Sequence, residues 1–123
     1  MQQQGIERRR APRATVNFPI QISTKTEAAP ATLKDISSNG LCCTYHEPVR
    51  EMTIVRMHVK FPGEQDVHRI DGVVVRCAKR RGEFPPTYEI AVYFAEMTEA
   101  ARKTVERFVT KTLDQPAAHR ANK

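Results

Sequence analysis

Apolar and polar residues alternate along most of the chain between Thr15 and Phe94, and this alternation is typical of half-buried β-strands. The clearest example is Thr53–Phe61, in which Val55, Met57 and Val59 fall on one face and polar residues fall on the other. Turn-forming residues separate the alternating segments. The pattern predicts six strands: Thr15–Ser23, Ala31–Ile36, Leu41–His46, Thr53–Phe61, Val67–Ala78 and Tyr88–Phe94.

The period changes after Phe94 to that of an amphipathic helix. Thr98 is a suitable N-cap, and Glu99 would lie at the positive end of the helix dipole. Pro116 follows the last residue of the pattern. Apolar residues recur at helical spacing at Ala101, Val105, Phe108, Val109 and Leu113. We therefore predict a mainly β fold: a six-stranded antiparallel, split-barrel-like β-barrel with one C-terminal α-helix that covers an open end or edge.

Three local features refine this plan. Pro19 removes a backbone donor from the first strand, which indicates a sheet edge or a bulge. Gly72 would let the fifth strand bend. The strict alternation predicts that Tyr88, Tyr93 and Phe94 pack within the sheet rather than serve as stacking platforms for bases.

The chain has 123 residues, which predicts a single domain over residues 7–114 with disordered tails at 1–6 and 115–123. Its three cysteines, Cys42, Cys43 and Cys77, do not form a disulfide pattern, and adjacent strand residues point to opposite faces. We expect reduced, structural thiols and no metal site. The sequence shows no membrane span and no apolar secretory segment, so we expect a cytoplasmic protein.

The net charge of +6 favours an anionic partner. Arg8, Arg9, Arg10 and Arg13 lie within six residues, and Pro12 favours an extended backbone there. A guanidinium group can grip a phosphate or the O6/N7 edge of guanine through two hydrogen bonds. The simpler alternative is a solvated basic tail with a general attraction to nucleic acid.

The segment DISSNG (Asp35–Gly40, the DISSNG turn) lies between the second and third predicted strands. Asp35 could accept hydrogen bonds from the N1–H and N2–H₂ edge of guanine, and a serine hydroxyl could donate to phosphate. Glycine permits a positive φ and a close backbone approach. The alternative is an ordinary hairpin turn, because Asn39-Gly40 is a favoured two-residue turn.

The combination resembles the PilZ domain family, which binds the bacterial second messenger cyclic di-GMP. Arg9 and Arg13 match its RxxxR motif, and Arg8 gives the common doubled arginine. Asp35, Ser37 and Gly40 match D/NxSxxG. The segment Tyr88–Phe94 and the C-terminal helix resemble the last strand and the helix of that family.

The resemblance implies roles for individual residues. Arg9 and Arg13 would hold phosphates and a guanine edge, and Arg8 would accompany binding of two ligand molecules. Asp35 would bind guanine, Ser37 would contact a phosphate or the neighbouring base, and Gly40 would maintain the turn. Additional candidates are Arg10, which falls at a variable position, and Arg76, which belongs to a second basic cluster with residues 79–81.

We therefore expect a regulatory module that binds cyclic di-GMP, needs no cofactor and relays the signal to an unidentified downstream protein. The alternative is a protein-interaction adaptor that keeps the fold but does not depend on the nucleotide. A general nucleic-acid binder is disfavoured because only 7% of residues are aromatic. An enzyme is disfavoured because the sequence contains no recognisable nucleophile–base pair, metal-ligand cluster or glycine-rich phosphate loop. The four histidines show no ligand spacing, so we expect them at the surface.

Overall fold

A computed structural model describes residues 11–115 of the chain. The predicted tails lie outside these residues except for Gln115, whose N–H donates to the Thr112 carbonyl. The domain limits stay predictions. The elements in chain order are β1 (Ala14–Ser23), β2 (Ala28–Ile36), β3 (Gly40–Tyr45), β4 (Ile54–Lys60), β5 (Val67–Lys79), β6 (Tyr88–Met97) and α1 (Glu99–Leu113).

The six strands form a closed antiparallel barrel in the order β1-β2-β3-β6-β5-β4, with β4 paired back to β1. This confirms the predicted fold class of six antiparallel strands followed by one helix. Within residues 11–115 each strand therefore has a neighbour on both sides, although β1 and β4 pair along only part of their length.

Alternation along the strands fills the barrel with apolar side chains. Val55, Met57 and Val59 of β4 are fully or almost fully buried, as their spacing predicts, and Phe61 just beyond β4 is buried with them. The other strands contribute apolar residues to the same core, among them Ile22, Leu33, Ile36, Leu41, Cys43, Ile70, Val74, Ile90 and Val92.

Helix α1 begins with the predicted cap. The Thr98 side chain accepts a hydrogen bond from the Ala101 N–H at 3.0 Å. Phe108 of the helix packs against Phe18 and Phe61, with ring centroids 5.8 and 5.0 Å apart respectively. The helix thus covers the barrel where β1 and β4 separate.

Pro19 explains that separation. β1 pairs with β4 only through the three residues Gln21–Ser23, and two positions before Gln21 the same register would set Pro19 against Lys60. Proline has no N–H to donate across such a pair. β1 also has a register shift between Thr15 and Phe18, which confirms the bulge, whereas β1 pairs with strands on both sides and is not an edge strand.

Two strand boundaries differ from the sequence-based expectation by more than one residue. β2 begins at Ala28 rather than Ala31, because Pro30 pairs with Gln21 without ending the strand. β6 continues to Met97, which pairs with Ile70, although the alternation in the sequence ends at Phe94. Both extensions depend on a neighbouring strand of matching length.

No helix within residues 11–115 combines the length and apolar character needed to cross a lipid bilayer.

Candidate functional site

Arg13 and Asp35 form an ion pair that joins the two sequence motifs. Nε and one terminal nitrogen of Arg13 lie 2.7 and 2.6 Å from the same oxygen of Asp35, Oδ1. The pairing of Thr15 with Asp35 explains the contact, because it brings the chain just before β1 beside the end of β2. The side chains are 41% and 31% exposed, so a ligand from solvent can reach both.

Only Arg13 of the four clustered arginines lies within the residues that the structure describes. Arg8, Arg9 and Arg10 lie outside residues 11–115. Their predicted roles stay predictions, and Arg13 alone marks where the segment meets the barrel.

Ser37 organises the DISSNG turn from inside. It is 1% exposed, and its hydroxyl oxygen accepts hydrogen bonds from the N–H groups of Asn39 and Gly40 at 3.1 and 3.3 Å. The Ser37 N–H also donates to the Gly40 carbonyl at 2.8 Å. In this state the hydroxyl holds the backbone of the turn together, and the predicted phosphate contact of Ser37 is untested.

Gly40 is required by space rather than by an unusual backbone angle. Within the described part of the chain, positive φ occurs at Met52, Gly63 and Gly82 and not at Asn39 or Gly40. The predicted alternative of a two-residue hairpin turn at Asn39-Gly40, which needs positive φ, is therefore wrong. A Cβ at Gly40 would collide with the carbonyl oxygen of Val92 on β6, so the residue lets β3 and β6 approach closely.

Arg76 shares an outer row of the barrel with Asp35. The strand registers place Asp35 beside Cys42, Cys42 beside Ala91, and Ala91 beside Arg76. We call these four residues the outer row. Its two central side chains are small, so the row forms a shallow floor between a carboxylate and a guanidinium group.

Cys42 reports the electrostatics of the outer row. The pKa of its thiol is raised to about 11, mainly by burial and then by the carboxylates of Glu89 and Asp35, whereas Arg76 and Arg13 act in the opposite direction. Four charged groups from four separate segments of the chain therefore act on one sulfur atom. The ion pair and Arg76 belong to one continuous surface.

Cys42 and Cys43 illustrate the predicted alternation. Cys43 lies within the core, and burial raises the pKa of its thiol to about 12. Cys42 is equally hidden from solvent but is not part of the core cluster. All three cysteines are free thiols, as the sequence predicts.

Tyr93 does not pack within the sheet in the way that the sequence predicts. Tyr88 and Phe94 pack against the core as predicted, but Tyr93 is 55% exposed. It pairs with Gly40 and lies two positions after Ala91 on β6. The signal was present in the alternation, because Tyr93 has the opposite parity from the buried Ile90 and Val92.

Two of the cavities at the barrel surface lie near opposite ends of β1. One of about 640 Å³ lies beside Asp35 between β1 and α1, and its lining includes Lys34, Phe18 and Phe108. The other, of about 470 Å³, lies at the opposite end of β1 and β3. The lining of the second cavity includes Glu27, Tyr45 and Glu47.

A histidine–carboxylate group at that second end was not expected. His46 Nε2 lies 3.2 Å from a carboxylate oxygen of both Glu27 and Glu47. The three donor atoms lie within 4.8 Å of one another, and His46 and Glu47 are both more than half exposed. The three side chains form a polar cluster at the surface, and the prediction of no metal site stays a prediction.

Comparison with known proteins places this geometry in a family. A family model described as PilZ domain matches residues 7–111. A search of curated proteins found no match. Among solved structures, the PilZ domain of YcgR from Escherichia coli, determined with c-di-GMP, gives a TM-score of 0.74 at 17% identity and covers 95% of this chain and 99% of that one.

Two further structures show the same fold. The inhibitor of motility MotI/DgrA of Bacillus subtilis gives a TM-score of 0.71 at 16% identity, covering 86% of this chain and 51% of its own. MrkH of K. pneumonia, in a structure titled as a c-di-GMP complex, gives 0.70 at 18% identity, covering 88% and 53%. This chain thus spans about half the length of those two proteins. The family match extends over most of the chain and agrees with the barrel and the helix, and on this evidence the chain belongs to the PilZ domain family.

Proposed function

We propose that this chain is a regulatory module that binds cyclic di-GMP through its arginine segment and its DISSNG turn, and that it is not an enzyme. The Arg13–Asp35 ion pair carries the proposal, because it brings the two motifs into direct contact at 2.6 Å on an accessible surface. Two structural neighbours, the PilZ domain of YcgR and MrkH, were determined with c-di-GMP, and they support the choice of ligand.

Each side chain has a defined task in this proposal. Arg13, together with Arg9, binds ligand phosphates and a guanine edge, and Arg8 supports a second ligand molecule. Asp35 accepts hydrogen bonds from the N1–H and N2–H₂ groups of guanine. Ser37 and Gly40 hold the turn and present a phosphate contact. Arg10 and Arg76 are supplementary phosphate contacts, with Arg76 reaching the ligand from the far end of the outer row.

The ion pair is exchanged for ligand contacts at low cost. Partly exposed ion pairs contribute about 0–1 kcal/mol. A charge-assisted hydrogen bond to the ligand contributes about 1.5–3 kcal/mol, and micromolar binding requires about 8 kcal/mol in total. Several such bonds together with base stacking can therefore replace the Arg13–Asp35 contact with a net gain.

In this proposal ligand binding is signalled to a protein partner by a change in the surface of the domain. The ligand draws residues 7–13 over the outer face of the barrel, which alters both shape and charge there. Backbone amide exchange of residues 7–13 should slow on addition of cyclic di-GMP. Equal exchange in both states would contradict the relay but leave the binding intact. A cytoplasmic location is part of the proposal.

The binding test is a calorimetric titration with cyclic di-GMP, GMP, cyclic GMP and a short oligonucleotide. We expect selective binding of the cyclic dinucleotide. Arg13→Ala and Arg9→Ala should each lose about 1.5–3 kcal/mol of binding free energy, since each removes charge-assisted hydrogen bonds. Asp35→Ala should reduce the preference for cyclic di-GMP over cyclic di-AMP, because it removes the acceptor for the guanine edge.

Arg69→Ala is the matched control. Arg69 is also a half-exposed arginine that contacts an aspartate, Asp71, at 3.8 Å, but it lies outside the outer row. It should bind the ligand as the unmodified protein does. Unchanged affinity in Arg9→Ala, Arg13→Ala and Asp35→Ala would end the site assignment. No binding by the unmodified protein would favour the alternative, a nucleotide-independent adaptor.

A further inference from the structure

We propose that Tyr93 is a stacking wall of the ligand site and binds one purine of the cyclic dinucleotide through the face of its ring. The inference rests on the proposed function and names a residue outside both sequence motifs. Tyr93 is a large aromatic side chain that stays 55% exposed in a strand whose neighbouring positions, Val92 and Ile90, are buried.

The backbone ties Tyr93 to the DISSNG turn. Gly40 pairs with Tyr93, and the Phe94 N–H donates to the Asn39 carbonyl at 2.9 Å. The turn and the ring therefore keep a fixed relation to each other. A ligand that meets the turn meets a preformed aromatic surface at its side.

Gly40 leaves the β3 side of the ring open. The residue has no side chain, and none can be added because a Cβ would collide with the Val92 carbonyl. On the β5 side the cross-strand partner is Val73, which is half-buried. An exposed ring between a glycine and a short aliphatic residue offers room for a planar base.

The position suits a ligand with two bases. Counting along the registers, Asp35 and Tyr93 are separated by two strand spacings and two residues, which is about 10 Å across and about 7 Å along the sheet. One guanine can use the carboxylate of Asp35 while the rest of the ligand crosses the small side chains of Cys42 and Ala91. The second purine then lies within reach of Tyr93, and the phosphates of the ligand lie between Arg13 and Arg76.

A purely structural role makes a different prediction. Aromatic side chains can shield a cross-strand glycine and thereby stabilise a sheet. In that role a bulky apolar residue would also serve at position 93, and the affinity for the ligand would not depend on an aromatic ring there. Stacking on a purine requires an aromatic face and is independent of the phenol hydroxyl.

The test compares cyclic di-GMP affinity by calorimetry in Tyr93→Phe, Tyr93→Ala and Tyr93→Leu. Tyr93→Phe should bind as the unmodified protein does. Tyr93→Ala and Tyr93→Leu should bind at least about tenfold more weakly, because they lack the stacking surface. Tyr93→Leu keeps an apolar side chain beside Gly40, so its melting temperature separates folding from binding. Phe84→Ala, at an exposed aromatic in the β5–β6 loop, is the matched control and should bind normally.

The NMR signal of the guanine H8 proton gives a second readout. A base stacked on an aromatic ring is shifted upfield, so the shift should appear with Tyr93→Phe and disappear with Tyr93→Leu. Affinity and H8 shift unchanged in Tyr93→Leu would overturn the stacking role and leave the proposed function in place. Absence of cyclic di-GMP binding by the unmodified protein would overturn both.

Discussion

The DISSNG turn and the β5–β6 loop (residues 80–87) both contain a glycine and both join neighbouring strands, but they are built in opposite ways. In the DISSNG turn a polar side chain, Ser37, is buried and serves the backbone. In the β5–β6 loop an apolar side chain, Phe84, is 97% exposed. Residue polarity alone therefore does not reveal which side chains of a turn are buried.

The glycines of the two turns, Gly40 and Gly82, also differ in what requires them. Gly40 has an ordinary φ and no room for a Cβ, whereas Gly82 has a φ of 76° and open space around it. The first glycine serves the packing of two strands, and the second serves the local path of the chain. Three main substitutions, two of them with a comparison variant, test this contrast from the largest expected effect to the smallest.

Gly40→Ala should be the most destabilising change. The added methyl group meets the backbone of Val92 on β6, which cannot move without breaking the pairing between β3 and β6. Overpacking of this kind costs about 1–3 kcal/mol or more. Gly82→Ala meets no neighbouring atom and should cost about 1 kcal/mol through backbone strain alone. Urea denaturation of both variants checks the order, and a larger loss for Gly82→Ala would contradict it.

Ser37→Ala should destabilise the protein by about 1–3 kcal/mol. The substitution leaves the N–H groups of Asn39 and Gly40 without the acceptor that they now share. Ser38→Ala, at the next and less buried position, should change the free energy of unfolding by less than about 0.5 kcal/mol. Chemical denaturation measures both. Equal effects would mean that the Ser37 hydroxyl is not the organiser of the turn.

Phe84→Ala should have the smallest effect of the three, within about 0.5 kcal/mol, because the side chain buries almost no surface. Its thermal midpoint should match that of the unmodified protein. A clear loss of stability would show that the β5–β6 loop packs against another part of the molecule and would remove the contrast with the DISSNG turn.

Sequence patterns predicted the elements well where the structure depends on local chemistry. The buried face of β4 follows from the spacing of Val55, Met57 and Val59. The start of α1 follows from Thr98, whose side chain makes the expected capping bond. The barrel follows from the number and spacing of such strands.

The features that escaped prediction depend on strand register. Arg76 joins Asp35 in the outer row only because the pairing of β5 with β6 shifts between Val74 and Arg76. The extension of β2 through Pro30 requires a partner of suitable length in β1. Gly40 fits a turn motif in the sequence, but its actual constraint is the backbone of a strand about fifty residues away. No local pattern contains this information.

The pairing of β3 with β6 also bears on how the protein folds. These strands are separated by about forty residues of chain, which contain β4 and β5. Seams of such long sequence separation form slowly, on the millisecond-to-second scale typical of β-barrels. The proposed ligand site lies across this seam, so its final geometry exists only after the slowest pairing. A ligand that binds there stabilises the closed barrel in proportion to its concentration and slows reopening of the seam.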